Sequence, residues 1–195
     1  MNDLYRISLQ TAREYHKKQI RKVRGNPYTD HLSAVAEQVL YMGGDIEIVC
    51  AGLLHDILED TEITEHKLRL EMSLFASNEA VDRIMDIVKA MTQNKTLGPR
   101  ERLTAQLDKV FTVGHGAMLV LLADYLDNVS NLVRDQKEFG YKLWEKFNQK
   151  PEMKFKAIER VIKFLDRYLK TNRSEVEALA RLYLALKTEY RNIKK

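Results

Sequence analysis

The chain has 195 residues, 45% apolar and 31% charged, a balance that suits one soluble globular domain with a core of its own. Its 32 basic and 28 acidic residues are interspersed and leave a formal charge of only +4, which excludes a basic arm for nucleic acid. The single cysteine, Cys50, excludes an internal disulfide framework and fits a reducing, cytoplasmic setting, and no apolar stretch is long enough to cross a membrane.

Eight glycines and three prolines against abundant Leu, Ala, Lys, Glu and Arg favour helices. Residues 3–20 read as a helix with Leu4, Ile7, Thr11 and Tyr15 on one face. The basic run Arg21-Lys22-Val23-Arg24 leads into a turn at Gly25-Asn26-Pro27. Asp30 can cap a second helix, about 31–42, that buries Ala34, Val35, Val39 and Met42, and Gly43-Gly44 ends it. Asp45 caps a third helix, 46–60, the most apolar of the first half. Thr64 caps a short helix to about 72, and a helix near 78–92 carries Val81, Ile84, Ile87, Val88 and Met91. After a polar loop, Pro99 suits the first turn of a helix over about 99–112. Gly114-His115-Gly116 breaks the chain, with His115 as a loop residue, and the wholly apolar residues 117–123 open a central helix to about 138. Residues 139–151 are the least regular. Two amphipathic helices follow, about 152–170 and 174–193. The stripe Val176, Leu179, Leu182, Tyr183 and Leu186 on the last reads as core, or as the face of a homo-oligomer. Period-two alternation is nearly absent. The expected fold is therefore all-α, a single domain over residues 1–195 with about eight to ten helices and no internal repeat.

The third helix carries the chemistry. His55, Asp56, Glu59 and Asp60 interrupt a run that is otherwise apolar from Ile46 to Leu58. Ionisable groups inside a buried helix are costly unless something compensates them, and a metal ion does so directly. Neighbours on a helix stand about 100° apart, so His55 and Asp56 can both reach an ion placed off that edge, and Glu59 and Asp60 follow one turn later. One helix cannot complete a coordination sphere. His31 at the start of the second helix, and Asp124 directly after the apolar run 117–123, are the other polar residues in apolar settings. Two imidazoles and two carboxylates suit Mn²⁺, Fe or Zn²⁺ more than Ca²⁺. Such an ion acidifies a bound water and holds a phosphate oxygen, with Glu59 and Asp60 placed to orient or deprotonate that water. Taken singly, a His-Asp pair, a solvated acidic helix end or a core histidine explains each residue without a site; together the joint site is the better reading. His66 reads as a surface residue, Cys50 as a buried thiol, and His16 as a structural hydrogen-bonding partner.

The order His31 … His55-Asp56 … Asp124 resembles the HD-domain phosphohydrolases. Local words narrow the resemblance. His16-Lys17-Lys18-Gln19-Ile20-Arg21-Lys22 followed by Pro27-Tyr28-Thr29-Asp30-His31 is similar to the opening "HKGQ-x-RK…PYI-x-HP" of the hydrolases of guanosine tetraphosphate, ppGpp. His55-Asp56-Ile57-Leu58-Glu59-Asp60-Thr61 resembles their "HDVVEDT", and Val88-Lys89-Ala90-Met91-Thr92 with Lys95-Thr96-Leu97 their "VKALT…K-x-L". Leu122-Ala123-Asp124-Tyr125-Leu126-Asp127-Asn128 resembles "LAD-(K/R)-L-x-N". The match spans about residues 10–170 and is similar to the stand-alone small alarmone hydrolases rather than to the long RelA/SpoT enzymes. It implies a helical HD domain and one Mn²⁺, or another divalent ion, held by His31, His55, Asp56 and Asp124. It implies water activation by Glu59 and Asp60, and hydrolysis of the 3′-pyrophosphate of ppGpp or pppGpp to GDP or GTP and pyrophosphate. By the same resemblance Arg21 stacks on the base, Lys22 sits at the nucleotide, Asn128 touches the nucleoside, Lys95 meets the 5′-phosphates, and Lys150 is a further substrate contact. The implied partner is a small nucleotide, not a nucleic acid or a membrane.

The chain departs from the family words at the substrate rim. Leu121 stands for a usual Lys, Tyr125 for Lys or Arg, Asp127 for His or Tyr, and Asn131 for a frequent Thr. The stretch 140–154 fits the family's "W…R…YF" poorly, with Trp144 and Lys150 as its nearest counterparts and Lys154 near the expected Tyr. These changes spare the metal set. They leave open an adenosine alarmone, the 2′-phosphate of NADPH or a nucleoside monophosphate as substrate, or a silent nucleotide-binding protein.

Overall fold

The computed structural model describes residues 3–147 and 150–193. Among them the chain is helical and contains no strand; one isolated bridge joins Ile20 and Pro27. The helices are α1 (Asp3–His16), α2 (Tyr28–Tyr41), α3 (Ile46–Leu54), α4 (Ile57–Asp60), α5 (Glu65–Ser73), α6 (Asn78–Met91), α7 (Pro99–Val113), α8 (His115–Phe139), α9 (Pro151–Tyr168) and α10 (Arg173–Ile193), with a 3₁₀ segment Gly140–Lys146 before α9. Asn148 and Gln149 of the irregular stretch, and Lys194-Lys195 after the last helix, lie outside the described residues. Among the described residues no helix is long and apolar enough to cross a membrane.

The chain groups into two compact units. The first comprises Met1–Ile20 and Asn26–Ala123, the second Arg21–Gly25 and Asp124–Lys195. In the first unit α3 is the hub, packed against α1, α2 and α6. Every residue from Ile48 to His55 is buried, which is why the sequence can be apolar on all sides there. The Asp45 side chain caps the helix, its Oδ1 accepting from the Glu47 and Ile48 amides at 3.1 and 3.0 Å. Arg83 holds the same carboxylate at 2.8 Å. Thr64 and Ser77 cap α5 and α6 in the same way.

Several expectations are corrected. The third helix is not continuous over 46–60: α3 ends at Leu54, His55 and Asp56 form a turn, and α4 restarts at Ile57. Asp30 does not cap α2; the helix begins two residues earlier and Asp30 lies in its first turn, bonded by Asn26 Nδ2 at 3.0 Å. Of the glycine pair near residue 115, only Gly114 breaks the chain, at φ +94°; His115 opens α8 and is helical rather than a loop residue. Gly116 sits in that first turn because a Cβ there would come 3.1 Å from Ile87 and 3.2 Å from Ile48. The buried face of α1 is Leu4, Ser8, Thr11, Ala12 and His16, not the stripe through Ile7 and Tyr15.

In the second unit α9 and α10 pack together, and α10 also meets the 3₁₀ segment. Trp144, Phe155 and Tyr190 form a cluster with ring centroids 5.1–5.6 Å apart. Val176, Leu179, Tyr183 and Leu186 are buried, so most of the apolar stripe of α10 is core.

Removing the cap tests how far α3 depends on it. Asp45→Ala should lower the free energy of unfolding by about 1 kcal/mol, and Asp45→Asn by less, because asparagine keeps the capping oxygen. Urea unfolding of the three chains checks the order.

Candidate metal centre

His31 lies in the first turn of α2, and His55 and Asp56 lie in the break between α3 and α4. Both imidazoles are 1% exposed and the Asp56 carboxylate 21%. The three side chains offer ligand atoms that all lie within 4.8 Å of one another. His55 Nε2 is 3.1 Å and His31 Nε2 3.9 Å from the same oxygen, Asp56 Oδ2. The rings meet edge to face at 5.3 Å. His55 Nδ1 lies 2.8 Å from the Gly52 carbonyl. A carbonyl only accepts, so Nδ1 carries the proton and the Nε2 lone pair faces the group. Two imidazole nitrogens and a carboxylate oxygen, so converged and so buried, fit a divalent metal ion.

The second carboxylate pair follows on α4. The Asp56 carbonyl accepts from the Glu59 and Asp60 amides at 3.1 and 2.9 Å, so the turn that places Asp56 also starts the helix that carries both acids. Glu59 Oε2 accepts from the Gln93 amide at 2.8 Å, and its side chain is 17% exposed. Burial pushes its carboxyl above the usual carboxylate range; nearby Asp56 and Asp60 add to this, and the Gln93 amide and Lys95 oppose it. Lys95 Nζ donates to Asp60 Oδ1 at 2.8 Å and to the Glu59 carbonyl at 2.7 Å.

Around Asp56 the first unit holds groups to which the sequence reading gave no active role. Tyr28 Oη donates to Asp56 Oδ2 at 2.5 Å. His16, fully buried, stacks on the Tyr28 ring at 5.3 Å. Gln19 Nε2 donates to the Asp60 carbonyl at 2.6 Å. The signal for Tyr28 was its place three residues before His31, one helical turn away.

In the second unit Asn128 Nδ2 donates to Asp124 Oδ1 at 2.5 Å, and Arg21 Nη2 donates to Asn128 Oδ1 at 3.1 Å. Asp127 Oδ2 lies 3.5 Å from Arg21 Nη2 and accepts from Asn131 at 2.9 Å. Arg21 and Asn128, read separately from the sequence, are thus joined, and the rim substitution at Asp127 engages the same guanidinium. Lys22 is exposed, and Lys150 is the exposed N-cap residue of α9. One turn into α9, Lys154 lies over the Phe147 ring at 4.9 Å. Burial lowers its pKa, Asp124 opposes the shift, and Arg21 and Lys22 add to it. Lys154 of α9 thus joins Arg21 and Lys22 among the cations of this unit. Elsewhere His66 and His115 are exposed, and burial pushes the Cys50 thiol up to about 11.

A family model of the HD domain matches residues 8–138, two-thirds of the chain and all of the residues that meet at Asp56. The chain belongs to the HD domain family. Human guanosine-3′,5′-bis(diphosphate) 3′-pyrophosphohydrolase MESH1 is 30% identical over 174 residues, 88% of either chain. The Danio rerio MESH1 is 36% identical over 126 residues, a stretch that spans 63% of this chain and 66% of the relative. Among solved structures, a metazoan orthologue of SpoT, described as hydrolysing ppGpp with a role in starvation responses, superposes with a TM-score of 0.66. It is 25% identical, over 97% of this chain and 94% of its own.

The environment of Glu59 makes a prediction about stability without metal. A carboxyl whose pKa is raised on folding is penalised in its ionised form, so Glu59 detracts from stability above that raised value and ceases to do so as pH falls through it. Glu59→Gln should melt higher than the native chain at neutral pH when both are metal-free, and the gap should close on acidification. Thermal melts in EDTA across the acid range check the sign.

Proposed function

We propose that this HD-domain chain hydrolyses the 3′-pyrophosphate of guanosine 3′,5′-bis(diphosphate) and its pentaphosphate, with one Mn²⁺ as cofactor. The observation that carries the reading is the convergence of His31 and His55 Nε2 on Asp56 Oδ2, one turn before a half-buried Glu59 of raised pKa. The names of its relatives supply the substrate class. Because the family match runs from residue 8 to residue 138, past the start of the second unit, we take residues 1–195 as one phosphohydrolase domain.

His31, His55 and Asp56 would hold the ion, and Asp124 is assigned to it on sequence grounds. When bound, a divalent ion there supplies Lewis acidity to water and to a phosphate oxygen. Glu59 takes the proton of the attacking water, a role that suits a carboxylate made more basic by burial. The new bond joins the water oxygen to the phosphorus on the 3′ oxygen. The bond from that phosphorus to the 3′ oxygen breaks, the 3′ oxygen takes up a proton, and pyrophosphate leaves. Asp60, paired with Lys95, orients rather than abstracts. Arg21, Lys22, Asn128 and Lys150 are the proposed nucleotide contacts, and Lys95 adds a cation for the 5′-phosphates. The single, buried Cys50 supports a cytoplasmic setting.

His31→Ala and Asp124→Ala should each lose Mn²⁺, read by metal analysis of the purified protein; full retention by either removes that residue from the ligand set. Glu59→Gln should keep the metal and lose turnover by roughly 10²–10⁴-fold, the scale of a general base. The deciding assay supplies Mn²⁺ and, in parallel, ppGpp, its adenosine analogue and NADPH, with Asp56→Ala as control. GDP and pyrophosphate from ppGpp support the proposal. Turnover of only another nucleotide, or none at all, overturns it.

A further inference from the structure

Asp56 accepts a hydrogen bond from Tyr28 on the very oxygen, Oδ2, that faces both imidazoles. We propose that Tyr28 is a positioning residue of the metal centre: its hydroxyl fixes the Asp56 carboxylate for metal, and His16 and Gln19 fix Tyr28. The inference rests on the reading of His31, His55 and Asp56 as metal ligands.

Geometry supports each link. Asp56 sits in a helix break at φ −98° and ψ −3°. It is more exposed than His31 and His55. A carboxylate has rotamer freedom about χ1 and χ2, and a strong donor restricts it. Tyr28 stands at the first position of α2, one turn before His31, so one helix delivers both a ligand and the group that aims another ligand.

The Tyr28 ring is itself held from two sides. Its backbone amide donates to the Gln19 carbonyl at 3.0 Å, and Ile20 and Pro27 pair beside it. His16 stacks on the ring with 23° between the planes, and His31 meets it edge-on at 5.4 Å. The proton on His16 is assignable. Gln19 Nε2 faces the Asp60 carbonyl, which only accepts, so Gln19 Oε1 is the atom 2.7 Å from His16 Nδ1, and Nδ1 carries the hydrogen. His16 thereby ties three things together: the end of α1, the stacking face of Tyr28, and, through Gln19, the end of α4 at Asp60. This explains a fully buried histidine that touches no candidate ligand by hydrogen bond.

The test measures metal binding rather than catalysis. Tyr28→Phe keeps the ring, its stacking on His16 and the backbone bond to Gln19, and removes only the hydroxyl. Titration with Mn²⁺, following the free ion by its paramagnetic resonance, should show affinity weakened roughly 10–100-fold, the scale for a lost partner behind a metal ligand. The Mn²⁺ concentration for half-maximal ppGpp turnover should rise by the same factor. The metal-free melting temperature should fall by only about 2–4 °C, as for one hydrogen bond in a chain of this length. Unchanged Mn²⁺ affinity in Tyr28→Phe, with metal lost in Asp56→Ala, overturns the role of Tyr28 and leaves the ligand set standing. Mn²⁺ retained in Asp56→Ala overturns the ligand set and the role of Tyr28 with it.

Discussion

The bond from His55 Nδ1 to the Gly52 carbonyl is the constraint on which the centre depends. Two imidazoles are buried with their Nε2 atoms facing one carboxylate oxygen. Such a group tolerates burial only if its proton positions are defined, because an imidazole with the wrong tautomer would present N–H where a lone pair is wanted. The last turn of α3 supplies that definition from its own backbone. Carbonyls at a helix end have no amide four residues ahead to bond, so the Gly52 oxygen is available to the ring without any loss to the ladder. The helix end that stops α3 therefore also sets the chemistry of His55.

The same helix end re-aims Asp56. On an unbroken helix the two side chains would diverge by about 100°. With α3 ending at Leu54, the carboxylate turns toward His55 and His31, and the carbonyl of Asp56 nucleates α4 through the amides of Glu59 and Asp60. Ile57 stays buried across the break, so the apolar run continues through a change of backbone conformation. One local event thus brings the histidine and aspartate together, starts the next helix and presents two further acids.

Legibility in the sequence followed what is local. The caps read at Asp45 and Thr64 lie at helix starts, because a side chain bonding an amide two or three residues on depends on little else. Polar residues inside an apolar run marked His31, His55 and Asp56. The break at residue 55 was not legible, since no glycine or proline stands there. The face of α1 was misread because two of its buried members, Ser8 and His16, are polar, and each finds a partner that hydropathy does not register: Leu4 and Met72 for Ser8, and Gln19 for His16. Arg21 and Asn128 are 107 positions apart, so their bond could not be seen from spacing.

The two acids of α4 are adjacent in sequence but differ in setting, and the difference assigns their parts on the proposed reading. Asp60 is the more exposed and is paired with Lys95, whose ammonium also grips the Glu59 carbonyl. A carboxylate paired with an ammonium is a poorer proton acceptor, because protonation would forfeit the ion pair. Glu59 is half-buried, accepts from one backbone amide at Oε2, and its carboxylate has the Lys95 ammonium no closer than 3.9 Å. Its ionised form is disfavoured by desolvation and by Asp56 and Asp60, so it gains more by taking a proton. Metal at Asp56 would offset part of that repulsion and draw the Glu59 pKa back down. A base tuned in this way is strongest before the ion binds and is moderated once it has, which ties the reactivity of Glu59 to occupancy of the site that Tyr28 and His16 hold in shape.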